Sequence, residues 1–381
     1  MKKFSLFLIV FFSFFIKRTE AQDSSHLRIS LLTCAQGDEL YSVFGHTALR
    51  IIDSVQHTDV VYNYGTFDFN DPDFYMKFTR GTLDYMLSAY YFQDFMAEYY
   101  AEKRTVTEQE LVLTGDAKNN LNKALQENLA GAARYYKYVF NYNNCTSRIR
   151  DLLFQHAGLK PDRQLVPAGT TCRNMLHEAL DNGDQPWSKL GIDILLGSRI
   201  DKPVTIAESM FLPDYLMKGV DSSVHSHNIL LDKKIIYNSG VPQKQHHNWP
   251  LYLFSVIAVL SILVSSGKNK TAKRVTRFFD ITLFLLTGLI GFLLLFMWFG
   301  TDHKACGANY NLLWALPTNL IVVFALWRNP RWLRKYFTAC MIIHLLTVLL
   351  WFWLPQQLNI GLIPVVVLLL QRCWKLSKHS A

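Results

Sequence analysis

The sequence predicts an exported α+β domain followed by an all-α domain of five membrane-spanning helices. Three observations carry this. Strand alternation and helical periodicity are intermixed over residues 22–248 without a regular βαβ rhythm; apolar runs dominate from about residue 250 onward; and basic residues gather on alternate sides of those runs. A chain of 381 residues has room for two such domains. The net charge of +9 would suggest nucleic acid, but most of the excess Lys and Arg flank the apolar runs, so nucleic acid is excluded as a partner.

The N-terminus opens with Lys2 and Lys3, continues with an apolar stretch over 4–16, and reaches Thr19, Glu20 and Ala21. This pattern predicts a secretory signal peptide, 1–21, cleaved after Ala21; the apolar stretch is too short to span a bilayer. Lys17 and Arg18 leave an uncleaved anchor as the alternative. Either way the domain that follows, 22–235, is exported.

Within that domain, HLRISLLTCAQG (26–37) alternates and stops at a glycine, as a strand entering a loop does. FGHTALRII (44–52) sets His46, Ala48 and Arg50 against Thr47, Leu49 and Ile51, a second strand, and DVVYNYGTFDF (59–69) is a third. The polar DSVQHT (53–58) supplies the turn between them. TRGTLDYMLSAYYF (79–92) and TEQELVL (107–113) read as further strands. GDAKNNLNKALQENL (115–129) and CTSRIRDLLFQHAG (145–158) have helical periodicity, the second closing at Gly158. Residues 236–249 form a polar linker.

Apolar runs at roughly 250–266, 278–299, 311–327, 336–354 and 358–373 predict the five spans, in a membrane domain over 250–381. The loops at 267–277 and 328–335 and the tail carry twelve basic residues, whereas the alternate loops carry Lys304 alone. The basic side is therefore cytoplasmic, and 22–249 lies on the outer face.

Cys145 is the candidate nucleophile. At the start of a helix, its amide and that of Thr146 lack intrahelical partners and can hold an oxyanion. The helix field, Arg148 and Arg150 favour thiolate, and Asn143 and Asn144 suit an N-cap or tight turn. A buried apolar thiol and a disulfide partner remain the alternatives. Cys34, Cys172 and Cys306 share the oxidising side with Cys145, where pairing is open, while Cys340 and Cys373 fall in or beside spans as fillers. No CxxC or Cys/His spacing indicates a metal.

A thiol nucleophile needs a base. His46 combines a strand position with a neighbouring glycine, Gly45, that lets another group approach; His57 sits in a turn, and His156 and His177 sit on helix surfaces. The adjacent strand offers Tyr62, Asn63 and Tyr64 to orient the imidazole, with Asn63 favoured by analogy with Cys-His-Asn sites.

Segment 74–100, dense in Tyr, Phe and Met, suits a membrane interface or an acyl groove as well as an aromatic core. Tyr64, Tyr85, Tyr310, Asn311 and Trp314 are the expected lipid or interface contacts. Asp302 and His303 stand ready to seat a head group or dock the exported domain. His344, within a span, is unassigned.

The order strand histidine, strand, then Asn-Cys opening a helix resembles the circularly permuted papain-like fold of lecithin:retinol acyltransferase and its phospholipid-using relatives. LLTCAQGDELYSVFGHTALRI (31–51), VYNYGTFDF (61–69), FNYNNCTSRIRDLL (140–153), GIDILLGSRIDKPVTIAESMFLPDYL (191–216) and NYNLLWALPTN (309–319) look like the Lnb family. Those proteins are lipoprotein N-acyltransferases of the bacterial inner membrane with a periplasmic domain and a five-helix membrane domain. The resemblance implies Cys145 as acyl acceptor, His46 as general base, a phospholipid donor, a diacylated lipoprotein acceptor and no cofactor. Cys172 maps to no catalytic role. Two other functions use the same residues: a membrane-anchored papain-like hydrolase of cell-wall peptide, and a non-catalytic, disulfide-bonded assembly module.

Overall fold

The computed structural model describes residues 25–39, 42–161, 163–227, 233–240, 246–328 and 330–379. The expected signal peptide and residues 241–245 of the expected linker lie outside the described residues.

Among the described residues seven strands, β1 Leu27–Cys34, β2 His46–Asp53, β3 Thr58–Thr66, β4 Asp84–Tyr91, β5 Val106–Glu110, β6 Tyr135–Lys137 and β7 Lys233–Tyr237, form one sheet. Its order is β6-β4-β3-β2-β1-β5-β7 and every pairing is antiparallel. The turn from β2 to β3 is built by Asp53, whose Oδ1 accepts from the amides of Val55 and Gln56, each at 2.8 Å.

Alternation along the strands sorts side chains between two cores. Ile29, Leu31, Leu49, Ile51, Tyr62 and Tyr64 pack on one face with Leu121, Leu125, Ile149 and Leu153 of two helices, α3 Gly115–Ala130 and α4 Cys145–His156. Leu32, Ala48 and Val61 pack on the other face with Phe95, Met96 and Tyr99 of α2 Phe92–Ala101. β1 is thus buried on both faces, with even its polar Ser30 and Thr33 enclosed.

The expected strand over 79–92 starts late. Thr79 and Arg80 close a short helix, α1 Phe74–Arg80, which Gly81 stops at φ 71°, a left-handed geometry suited to glycine. Among the described residues five further helices were not foreseen: α2, α5 Cys172–Asn182, α6 Pro186–Leu195, α7 Ile206–Ser209 and α8 Pro213–His227.

The C-terminal part is helical: α9 Trp249–Ser265, α10 Lys270–Phe299, α11 Asn319–Arg328, α12 Trp332–Leu349 and α13 Ile363–His379. Among the described residues three segments, Lys270–Phe299, Trp332–Leu349 and Ile360–Lys378, are long and apolar enough to cross a membrane, and Trp249–Ser265 is a shorter apolar helix. The single helix expected over 311–327 is instead broken. A 3₁₀ turn, Tyr310–Leu313, is followed by irregular backbone before α11, whose ten residues reach only about 15 Å. Pro317 lacks the amide that a continuous helix would use. Gly288 and Gly291 of α10 let this broken backbone approach; a Cβ on Gly291 would collide with Ala315 and Pro317. Its polar groups are met locally, with Asn319 Nδ2 donating to Thr287 at 2.9 Å and the Tyr336 hydroxyl donating to Asn319 Oδ1 at 2.7 Å.

A buried polar seam joins the two parts. Arg173 of α5 has no exposed surface; it donates to Asp193 and Asp201, each at 2.8 Å, and to the carbonyls of Leu196 and Gly197. Asp193 also holds His177 and accepts from Asn359 Nδ2, both at 2.8 Å. His177, expected on a helix surface, is therefore largely enclosed, with 13% of its side chain exposed. Asn309, Asn311 and Gln356 donate to carbonyls of residues 193–196.

Candidate active site

Asn144 and the residues around it build the start of α4. Asn144 Oδ1 accepts from the Ser147 amide at 2.7 Å, and the Ser147 hydroxyl accepts from the Asn144 amide at 2.8 Å, a reciprocal capping box. Asn144 Nδ2 donates to the carbonyls of Phe140 and Phe211 at 2.7 and 2.8 Å, anchoring the cap from both sides. Cys145 follows as the first helical residue. The amides of Cys145 and Thr146 therefore belong to the set that every helix start leaves without intrahelical acceptors.

His46 opens β2 and reaches this sulfur. The Cys145 thiol and the His46 imidazole hydrogen-bond to each other, while His46 Nε2 contacts Asn63 Oδ1. An amide oxygen only accepts, so Nε2 carries a proton and Nδ1 is left for the sulfur. Of the three residues expected to orient the ring, Asn63 alone does so. Tyr62 and Tyr64 pack into the core, as alternation along β3 demands, and the Tyr64 hydroxyl is tied to Asn128 at 2.9 Å.

Burial pushes the Cys145 thiol up, but the charge of His46 and hydrogen bonds from His46, Thr146 and the Thr47 backbone more than offset it and hold the thiol below its ordinary value. Burial likewise depresses His46, yet the charge of Cys145 and the bonds from Cys145 and Asn63 raise it. Both shifts favour a thiolate–imidazolium pair. Burial raises Cys34 and Cys172 to about 12 and Cys306 to about 11, so on the exported side only Cys145 is driven toward thiolate. All six cysteines carry free thiols.

Some expectations need correction. Arg148 and Arg150 do not serve the sulfur: Arg148 bonds Asn143 at 2.7 Å and lies over the Tyr136 ring, and Arg150 bonds Asp151 and the Ala207 carbonyl, each at 2.8 Å. Gly45 is a backbone requirement at φ 75°, closed in by the Cys34 carbonyl and Pro213. The glycine that opens space at the sulfur is Gly65, where a Cβ would lie 3.3 Å from Cys145 Cβ and 3.9 Å from His46 Cε1. It sits at φ 97° in the irregular step between Tyr64 and Thr66. A glycine inside a β-branched and aromatic strand, YNYGTF, was the signal that could have found it. Thr47 was also missed as a site residue; its hydroxyl meets that of Thr146 at 3.0 Å in the buried floor of the site.

Of the expected lipid contacts, Tyr64, Asn311 and Trp314 are buried and cannot touch lipid. Asn311 donates to the Asp193 carbonyl and accepts from Trp314 Nε1, both at 2.8 Å, because these groups serve the seam between the two parts of the chain. Tyr310 packs beside them, its amide donating to Gln356 at 2.7 Å. Tyr85 is partly buried against Tyr138 and Phe67.

The assembled groups can generate a thiolate, take and return a proton, and stabilise an oxyanion beside it, the requirements of acyl transfer through sulfur. Among the described residues no cluster of His, Cys, Asp and Glu is suited to a metal. Residues 15–177 match the family described as the Lnb N-terminal periplasmic domain, and residues 243–380 match the Lnb transmembrane domain. No curated protein and no solved structure matches the chain.

Proposed function

From its membership of the Lnb family, as a membrane protein with a periplasmic domain, we propose that this chain is a lipoprotein N-acyltransferase of the bacterial inner membrane. It moves an acyl chain from a phospholipid to the α-amine of a diacylglyceryl-cysteine. The observation that carries this reading is the pairing of Cys145 with His46 and Asn63, in a domain tied by buried polar contacts to apolar helices. The strand histidine and the helix-opening cysteine favour a permuted papain-like plan, and the five apolar runs suit a five-helix anchor in which the third run is interrupted.

In the first half-reaction, Cys145 Sγ attacks the ester carbonyl and the oxyanion draws on the amides of Cys145 and Thr146. The C–O bond breaks, the departing lysophospholipid oxygen takes the proton from His46, and a Cys145 thioester forms. In the second, the lipoprotein amine attacks that thioester and gives a proton to the now neutral His46. The C–S bond breaks as the amide forms, restoring thiolate and imidazolium. Such an amine has a pKa of about 7.7–8.0, so a fraction is neutral near pH 7 without further activation. No step requires a cofactor.

Cys145→Ala should leave lipoproteins with free N-terminal amines, read by mass spectrometry of their N-terminal peptides; unchanged triacylated peptides would refute the proposal. Purified protein supplied with phospholipid should carry one acyl group on Cys145. Release of cleaved muropeptides without such an adduct would favour the hydrolase instead.

A further inference from the structure

The Cys145 side keeps 9% of its surface exposed, so a phospholipid chain needs a route to the sulfur. A continuous row of rings runs from the core beside the sulfur to an exposed helix. Tyr138 packs against the buried cluster that contains Cys145. Its ring is 4.5 Å from Tyr85; Tyr85 is 5.2 Å from Phe67; and Phe67 is 4.6 Å from Phe69 and 5.6 Å from Phe74. Phe74 stacks in turn on Phe78 at 6.1 Å. The inner end is packed against the core, whereas the outer end is bare: Phe69 is 73%, Tyr75 84% and Phe78 54% exposed, and α1 has no buried residue at all.

An unburied helix of this composition is unfavourable in water. Its position explains it. The Asp302 amide donates to the Arg80 carbonyl at 2.8 Å, the His303 ring donates from Nε2 to the Phe78 carbonyl at 3.1 Å, and the same ring packs against Gly81. Asp302 and His303 directly follow α10, the longest of the apolar helices, whose last residues Trp298 and Phe299 stack on each other, with Phe299 73% exposed. These bonds hold α1 level with the outer end of a segment long enough to cross the bilayer, where aromatic side chains are favoured.

We propose that α1, with Phe69, is a foot immersed in the periplasmic leaflet of the bilayer, and that the ring row from Phe78 to Tyr138 guides an acyl chain from that leaflet to Cys145. The second clause rests on reading Cys145 as the acyl acceptor; the first does not.

The full chain in phospholipid nanodiscs tests both. A Cys145→Ala, Met76→Cys variant offers one exposed thiol for an environment-sensitive NBD label, since the other native cysteines are buried. Blue-shifted emission, quenched by nitroxide on lipid chains, is expected; water-like emission quenched only by aqueous iodide would overturn the foot. In an otherwise native chain, Phe69→Ser with Phe78→Ser should raise the KM for vesicle phospholipid about tenfold through lost apolar contact. Alkylation of Cys145 by iodoacetamide should be unchanged, which shows that the fold and the dyad persist. An unaltered KM would overturn the route. A lipid-buried label on that variant, together with a wild-type chain that forms no acyl adduct with any phospholipid, would sink the transferase reading and leave the foot standing.

Discussion

Burial alone would make Cys145 unreactive, as it does Cys34 and Cys172, both pushed to about 12. The difference at Cys145 is local: an imidazole with its far nitrogen held by Asn63, and donors from Thr146 and the Thr47 backbone. A lowered pKa populates thiolate at a pH where a thiol of ordinary value 9.0 is still protonated, so the iodoacetamide rate of the wild type should reach half its maximum below pH 9.0. In His46→Ala burial is no longer offset by the imidazole, and the inflection should move upward; an unmoved profile would show that the pairing is not what activates the sulfur. Asn63→Ala leaves the Nε2 proton without its acceptor and frees the ring to turn, so acyl transfer should fall roughly ten- to a hundredfold while substrate KM stays near wild type. Gly65→Ala would place a methyl group 3.3 Å from Cys145 Cβ at a φ suited to glycine, and should cost about 1 kcal/mol of stability as well as most of the transfer rate, measured by melting and turnover. Cys145, His46 and Asn63 could be picked out of the sequence because each sits in a recognisable local setting. Thr47 could not, because its importance comes from Thr146 across the site, and Gly65 was marked only by being a glycine inside a strand of β-branched and aromatic residues.

At the level of elements, α4 depends on its first turn. Asn144 accepts from the Ser147 amide and donates to two carbonyls, so Asn144→Ala removes a cap worth about 1 kcal/mol and also strips the Phe140 and Phe211 carbonyls of a donor. A fall in melting temperature with a slower Cys145 alkylation is expected, since the cap fixes where the sulfur and its neighbouring amides point. An altered melting temperature with unaltered alkylation would separate helix stability from site geometry. The elements that strand alternation and helical periodicity revealed, β1 to β3, β5, α3 and α4, each bury at least one face in the cores of the exported part. The 74–92 stretch hid α1 because seven residues, two turns, are too few to show a helical period, and only Gly81 signals its end. The third apolar run hid its break for a different reason. Hydropathy sums side chains and is blind to backbone continuity, whereas one proline and the demands of Asn311 and Asn319 decide where α11 can start.

For the molecule as a whole, the proposed chemistry on a membrane lipid would need the sulfur held at a fixed height above the bilayer, and the seam around Arg173 and Asp193 is the contact that would hold it there. Burial pushes Asp193 up, but His177 and Arg173 hold it below its ordinary value, so it stays ionised within the contact. Such a cluster is poor evidence for stability and good evidence for a specified arrangement, since apolar groups could fill the same space but would not select one orientation. Removing one partner is costly: Arg173→Met leaves Asp193 and Asp201 without their shared cation and should destabilise the exported domain by about 3–5 kcal/mol. A gentler cut separates docking from folding. Gln356 lies outside the exported domain and donates to the Leu196 carbonyl at 2.9 Å while accepting from the Tyr310 amide at 2.7 Å, so Gln356→Ala together with Asn359→Ala loosens the seam from the membrane side alone. In this variant alkylation of Cys145 should keep its rate and pH profile, because the dyad is built within the exported domain. Transfer from vesicle phospholipid should fall, because the ring row no longer meets the leaflet at a fixed level. Loss of both activities together would mean that the membrane helices hold the dyad itself in shape. Retention of both would mean that the exported domain finds its lipid without the seam.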